Sequence, residues 1–433
     1  MLLDLSKIGK DISNKISVSS DMTQKYAEKV QEYLIILDNE VENNLDNISS
    51  HDMLEILSFL TSFKEYFISD NKWESLVLHS LKKIREEIYA SKYHPFIAFS
   101  GIAHIAFIIR DLCEKQPGLK RFLQSINKLL AANIYKFLYM VDEDNLLKLN
   151  TFEFIHGFSG PLRYALDSNN DNDLQELAEE LIKLLVERSS VKNLMDYKIP
   201  GWHYYPSEIE KGFWPEATKN GCINYGLSHG IAGPLVNLSI AYGSGLKIEG
   251  LEKSINGILN EYSKSSFYID NIIYWPKKIT FEQYTQQEAV EHVRNQMSWC
   301  YGSLGILRAL YIASIHTSNL KYKRLAVEEL IKIADMNIDD YLLDSPIICH
   351  GYLGAAIIFN EMFRDTKNEI FLYKVNELLN VSIERVIDLN ITCVENHNIH
   401  LFQYLEGFSG IFQAIQSMCS GRYDGINKRL LII

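Results

Sequence analysis

Trp299-Cys300-Tyr301-Gly302-Ser303-Leu304-Gly305 and Cys349-His350-Gly351-Tyr352-Leu353-Gly354 are two copies of one unit. Set on their Gly-x-x-Gly cores, each carries a cysteine two residues before its first glycine. The same spacing recurs at Gly157-Phe158-Ser159-Gly160, Gly230-Ile231-Ala232-Gly233 and Gly407-Phe408-Ser409-Gly410. Ala98-Phe99-Ser100-Gly101 keeps only the last glycine. A strongly apolar stretch follows each copy, as in Ile306 to Ala313 and Ala355 to Met362. Copies roughly 50 to 75 residues apart fit one helical hairpin per repeat.

The spacing of apolar residues elsewhere is helical. Asp52 to Phe67, Trp73 to Tyr89 and Leu174 to Ser189 place them three and four residues apart. Helices that are apolar all round belong inside, and amphipathic ones belong outside. The fold class expected is therefore all-α: an α/α toroid of inner and outer helices, spanning residues 1–433 as a single domain. Glycine at each inner-helix start lets backbones approach closely and tolerates the entry turn. The segment before Ala98 is a candidate for a seventh unit without glycines. Two stretches break the helical pattern, Lys198 to Asn224 and Phe267 to Tyr284, both rich in aromatic residues. They read as inserted extended or hairpin segments forming a small non-helical extension, either framing the mouth or merely packing.

Composition narrows the function classes. The chain is 47% hydrophobic and 23% charged, enough for a large core. A formal net charge of −12 without a basic patch argues against a nucleic-acid partner. Met1 to Lys7 is too short and too polar for a signal peptide, and no apolar run reaches the length of a membrane span. Six scattered cysteines, Cys113, Cys222, Cys300, Cys349, Cys393 and Cys419, form no disulfide-like cluster. A cytoplasmic setting is expected, and there a paired Cys/His pattern signals metal more often than disulfide.

If the inner helices share one polarity, the residues just before each motif form a ring: Ile97, His156, His229, Tyr301, His350 and Glu406. One position earlier stand Ile155, Ser228, Cys300, Cys349 and Leu405. Two thiolates and an imidazole, from Cys300, Cys349 and His350, make a three-ligand zinc set with one position left for substrate. A closed structural site would need a fourth ligand, for which His229 or His156 is in reach. Cysteines without such partners are core residues as a rule. His229 is the leading acid–base candidate in this ring, with His156 behind it. Glu153 faces either the mouth or solvent, and the Tyr301 hydroxyl is placed to act.

Trp299-Cys300-Tyr301-Gly302, Cys349-His350-Gly351 and Gly226-Leu227-Ser228-His229-Gly230 together resemble the lanthionine synthetase C-like family, the lanthipeptide cyclases. The resemblance runs from about Ala90 to the C-terminus. It implies an α/α toroid, one zinc per chain on Cys300, Cys349 and His350, and addition of peptide cysteines to dehydroalanine and dehydrobutyrine. His229 matches the family's acid–base histidine, and Tyr301 the tyrosine after the first zinc cysteine. A dehydrated precursor peptide is the implied substrate. A dehydratase and a peptide transporter at the inner face of the membrane are the implied partners. Two positions depart from the family pattern. Glu153 stands where an Asp is usual, and Arg294 or Gln296 where an Arg shortly precedes the Trp-Cys pair.

The donor set fits this chemistry on its own terms. A free thiol has a pKa of about 8.5, and zinc deprotonates a thiol outright. With two protein thiolates cancelling the metal's charge, a third from substrate stays nucleophilic, and hydrolysis is the less natural use. Other readings are zinc-dependent addition of another thiol, such as glutathione, and a non-catalytic peptide-binding toroid with structural zinc.

Overall fold

A computed structural model describes residues 2–16, 18–140, 151–168, 171–206, 219–391, 399–421 and 430–431. Cys393 and residues 207–218 of the first aromatic insertion lie outside that set. The chain divides into two compact units. One comprises residues 1–94, 104–123 and 337–431, and the other residues 95–103, 124–336 and 432–433.

In the second unit, helices Ser159–Leu166, Ala232–Gly243 and Ser303–His316 pack as neighbours in that order. They are buried over most of their surface. In Ser303–His316, every residue from Ser303 to Tyr311 is buried. Each is backed by an amphipathic helix: Asn172–Arg188, Leu251–Ser265 and Leu320–Asp335. Asn172–Arg188 buries Leu174, Leu177, Ala178, Leu181, Ile182 and Leu185, a single stripe at three- and four-residue spacing. It starts where Asp171 accepts the backbone N–H of Leu174, which satisfies a donor left free at any helix N-terminus.

The first unit repeats the plan with helices Tyr352–Thr366 and Phe408–Ser420 inside and Glu369–Asp388 behind the former. A third inner-type helix, Ser50–Phe63, packs beside Phe408–Ser420, with Asp70–Tyr89 against it. It is buried from Met53 to Thr61 and at Phe63, and Ser49 caps it at the position that Gly302, Gly351 and Gly407 hold in their helices. This is the glycine-free unit expected before Ala98.

The motif glycines serve close approach and not an unusual backbone angle. Gly302 has φ −85°, open to any residue, but a Cβ there would collide with the backbone of Gln296 and Ser298. Gly351 is confined in the same way by the carbonyls of Ser345 and Ile347. The loop before each inner helix folds tightly over the helix start, and a side chain would push it off.

The described parts of the aromatic insertions carry short paired strands, and the second insertion ends in the single-turn helix Phe281–Tyr284. The extended structure begins at Lys192, earlier than composition suggests. Strands Lys192–Leu194 and Tyr197–Ile199 form one hairpin, and Phe267–Ile269 with Ile272–Tyr274 another. The second turns at Asp270 and Asn271, both at positive φ, as a two-residue hairpin turn requires. Strand Cys222–Asn224 pairs antiparallel with Lys278–Thr280, tying the two insertions together. Among the described residues, no helix is long and apolar enough to cross a membrane.

Candidate active site

The second unit gathers Glu153, His156, His229 and Tyr301, one or two from each of three successive entry loops. Backbone hydrogen bonds set the loops against one another in a repeated pattern. The residue three before the first glycine donates its N–H to the carbonyl two before the next repeat's first glycine. Phe154 donates to Ser228 at 3.2 Å and Leu227 to Cys300 at 2.8 Å. Within the first unit Ile348 donates to Leu405 at 3.1 Å, with Cys349 donating to the same carbonyl at 2.9 Å. The register read from the glycines is thus the register of these bridges.

Glu153 is buried, 1% exposed. Oε2 accepts from the Ile155 N–H at 2.9 Å and stands 2.9 Å from His229 Nδ1. Oε1 accepts from the His156 N–H. The carboxylate is therefore fixed by its own loop and presents one oxygen to His229. With Nδ1 against the carboxylate, the ring is fixed in orientation. The His229 side chain is 31% exposed, enough to meet a substrate while anchored from behind. The ring of His156 lies near-parallel to it at 5.4 Å, and that of Tyr301 at 6.2 Å.

Tyr301 is held from a direction that its sequence position does not announce. Asn224, fully buried at the end of strand Cys222–Asn224, donates Nδ2 to the Tyr301 hydroxyl at 3.4 Å and accepts the Gly226 N–H at 3.0 Å. The paired strands thus deliver a site residue. Gly226 has room for no side chain, because a Cβ would meet the Cys300 carbonyl and the Tyr301 ring at 2.7 Å. Cys300 is 6% exposed, and its Sγ lies 3.7 Å from the Ser298 hydroxyl. Asn224 and Ser298 carried no motif signal. A buried Asn in an apolar strand, and a Ser directly before Trp-Cys, are the only traces of them in the sequence.

Arg294 and Gln296 part company. Arg294 is exposed and pairs with Asp270 at the tip of the second hairpin, whereas Gln296 lies in the loop folded over Gly302. In the first unit, Cys349 and His350 precede helix Tyr352–Thr366, half-exposed, with His350 Nδ1 3.7 Å from Glu406 Oε1. At that distance the Glu406 carboxylate is a neighbouring charge and not a hydrogen-bond partner of the imidazole. Two thiols and an imidazole are, as residue types, donors of the right chemistry for zinc. Cys113, Cys222 and Cys419 are buried thiols, and for Cys419 burial pushes the thiol up to about 12. Such a thiol is a core group.

The lanthionine synthetase C-like protein family matches residues 55–428. The chain belongs to that family. The match starts well before the point at which the motifs begin, because helix Ser50–Phe63 is a repeat without the marking glycines. The chain is 26% identical over 317 residues to the nisin biosynthesis protein NisC of Lactococcus lactis subsp. lactis, covering 72% of this chain and 71% of that one. Among solved structures, nisin cyclase superposes with a TM-score of 0.79 at 20% identity, over 93% of this chain and 96% of that one. The fold class is accordingly the α/α toroid read from the glycine repeat.

Proposed function

We propose that this protein is a zinc-dependent lanthipeptide cyclase. It joins cysteine thiols of a dehydrated precursor peptide to dehydroalanine and dehydrobutyrine in the same peptide, forming lanthionine and methyllanthionine rings. The observation that carries the reading is the Glu153–His229 pair, flanked by Tyr301 and bridged through its backbone to Cys300, in a member of the lanthionine synthetase C-like family. The names of the relatives, a nisin biosynthesis protein and a nisin cyclase, support the same substrate class.

Cys300, Cys349 and His350 are the residues that would hold one zinc per chain. When bound, zinc supplies the deprotonation of a peptide thiol at neutral pH, where a free thiol of pKa about 8.5 is mostly protonated. In the addition, a sulfur–Cβ bond forms, the Cα=Cβ π bond breaks, and its electrons pass to Cα and the adjoining carbonyl as an enolate. His229 gives the proton that Cα takes up. Glu153 holds His229 at Nδ1 and compensates the charge of the protonated ring. The Tyr301 hydroxyl accepts from Asn224, so its own proton points elsewhere, toward an enolate oxygen in this reading. The thiol proton and the Cα proton balance, so the peptide's mass does not change.

The test is incubation with a dehydrated precursor peptide that still has free cysteines. Thiols should disappear without a change in mass. Unchanged thiol content with the zinc-loaded protein would defeat the proposal. Loss of thiols only when glutathione is present, with a matching gain in mass, would point to addition of an external thiol.

A further inference from the structure

Glu153, His156 and His229 offer one carboxylate and two imidazoles, a donor set suited to zinc, cobalt or nickel and poorly suited to magnesium or calcium. One ligand atom from each lies within 4.8 Å of the others. Two neighbouring atoms bound to one such ion at about 2.1 Å stand roughly 3.0 Å apart in an octahedral site and roughly 3.4 Å apart in a tetrahedral one. Glu153 Oε2 and His229 Nδ1, at 2.9 Å, are already close to the octahedral spacing. His156 Nδ1 stands 3.9 Å from Glu153 Oε1. The His156 side chain is 66% exposed, so it closes on an ion by side-chain rotation without moving the backbone. The carboxylate is preset by the N–H groups of Ile155 and His156.

We propose that Glu153, His156 and His229 form a second divalent-metal site, separate from the thiolate donors, and that filling it inhibits the enzyme. The ion takes the place of the proton between His229 and Glu153: the N–H bond breaks, the proton leaves to solvent, and a metal–nitrogen bond forms. The site is the weaker of the two because it has no thiolate, its carboxylate already accepts backbone N–H groups, and one ligand is a surface side chain. Binding follows from the donor set alone, whereas the inhibition rests on the reading of His229 as proton donor. The consequence is a window of zinc concentration, with the first equivalent supporting turnover and the second stopping it.

Equilibrium dialysis against graded free zinc, followed by elemental analysis, reads the binding, and thiol consumption on dehydrated peptide reads the inhibition. The wild type should take up a second equivalent at higher zinc, and the rate should fall by about 10²-fold or more as it fills. Magnesium over the same range should do neither. His156→Ala should lose the second equivalent, keep the first, and show a rate, relative to its own maximum, that no longer falls with added zinc. The Cys300→Ala/Cys349→Ala protein separates this site from the thiolate assignment. It should keep one zinc that disappears when His156→Ala is added, whether or not the cysteines bind metal in the wild type. Circular dichroism checks each variant for native helix content, and if the cysteine variant is unfolded the comparison of wild type with His156→Ala decides alone. A wild type whose bound zinc, whether one equivalent or two, is unchanged by His156→Ala overturns the proposal.

Discussion

Glu153→Gln removes a charge and one acceptor oxygen while keeping the side chain's shape. The carboxylate serves three donors: the N–H groups of Ile155 and His156, and His229 Nδ1. A glutamine has one oxygen for them, and whichever way its amide turns, an NH₂ faces at least one donor. A hydrogen bond to a charged group is worth about 1.5–3 kcal/mol, so a destabilisation of about that size is expected by thermal or denaturant unfolding. The kinetic effect comes from the imidazolium. Giving a proton to Cα requires the protonated ring, and the carboxylate 2.9 Å away is what compensates its charge. With His229 nearly a third exposed, solvent screens part of this, which favours the same modest range over an interior Coulomb energy. At 1.36 kcal/mol per factor of ten, 1.5–3 kcal/mol corresponds to a rate loss of roughly 10- to 150-fold. Thiol consumption by a dehydrated peptide measures it, with zinc content and circular dichroism as controls. Glu153→Asp keeps the charge but shortens the reach by one methylene, so its loss should be smaller than that of the amide. Turnover of the glutamine variant within twofold of wild type, with zinc and fold intact, would refute the role assigned to this carboxylate.

At one equivalent of added zinc, Cys300→Ala and Cys349→Ala should each lose most of the metal held by the wild type, and Cys113→Ala and Cys419→Ala should retain it, by elemental analysis. At one equivalent of zinc, His229→Asn should keep the metal and the helical spectrum while cyclisation slows by about 10²–10⁴-fold; loss of that equivalent would make it a ligand of the thiolate site instead. Burial raises the carboxyl of Glu55 well above 4.5, with the Tyr404 backbone partly opposing and the Asp52 charge adding to the rise. The folded state therefore binds this proton more tightly than the unfolded one, so stability falls as pH rises above 4.5 toward neutrality. Glu55→Gln should flatten that fall and raise the melting temperature at neutral pH; the nearby His51, 3.8 Å away, is itself held below its ordinary value by burial. We also read residues 1–433 as one domain, in line with the unbroken family match over 55–428. Unfolding followed by helix signal and by tryptophan fluorescence should then coincide, and two separated transitions would refute it.

The fold was legible in the sequence because its marker is steric. Where a loop folds onto a helix start closely enough to exclude a Cβ, only glycine serves, and five Gly-x-x-Gly copies advertise five such places. The same reasoning explains the repeat that was hard to see. Helix Ser50–Phe63 is capped by the Ser49 side chain, so its start makes no demand for glycine and leaves only an apolar run as its signal. The strands were harder still. Lys192–Leu194 and Tyr197–Ile199 are too short, and too mixed in burial, to show alternation, and their turn is formed by Met195 and Asp196, neither of them a glycine.

For the site, the division between legible and hidden residues follows what each one does. His229 and Tyr301 stood out because they occupy the position just before a first glycine, where the repeat itself supplies the frame of comparison. Glu153 was visible as a carboxylate near the second motif, but not its direction, since four residues of irregular loop can turn a side chain either to solvent or inward. Two backbone N–H groups of its own loop decide the matter, and no residue-type pattern encodes them. Asn224 lies beyond any local reading. It reaches Tyr301 because strand Cys222–Asn224 is paired with Lys278–Thr280, a partnership across more than fifty residues of sequence. A substitution in the second insertion, far from every motif, should therefore reach the site through this strand. Ile279→Pro would remove a strand donor opposite Ile223 and loosen Asn224 from Tyr301. If the strand pair is what seats Tyr301, this variant should lose turnover to the same degree as Tyr301→Phe while its zinc stays in place. Full activity in Ile279→Pro with strand pairing lost would show that Tyr301 is seated by its stacking on His229 alone.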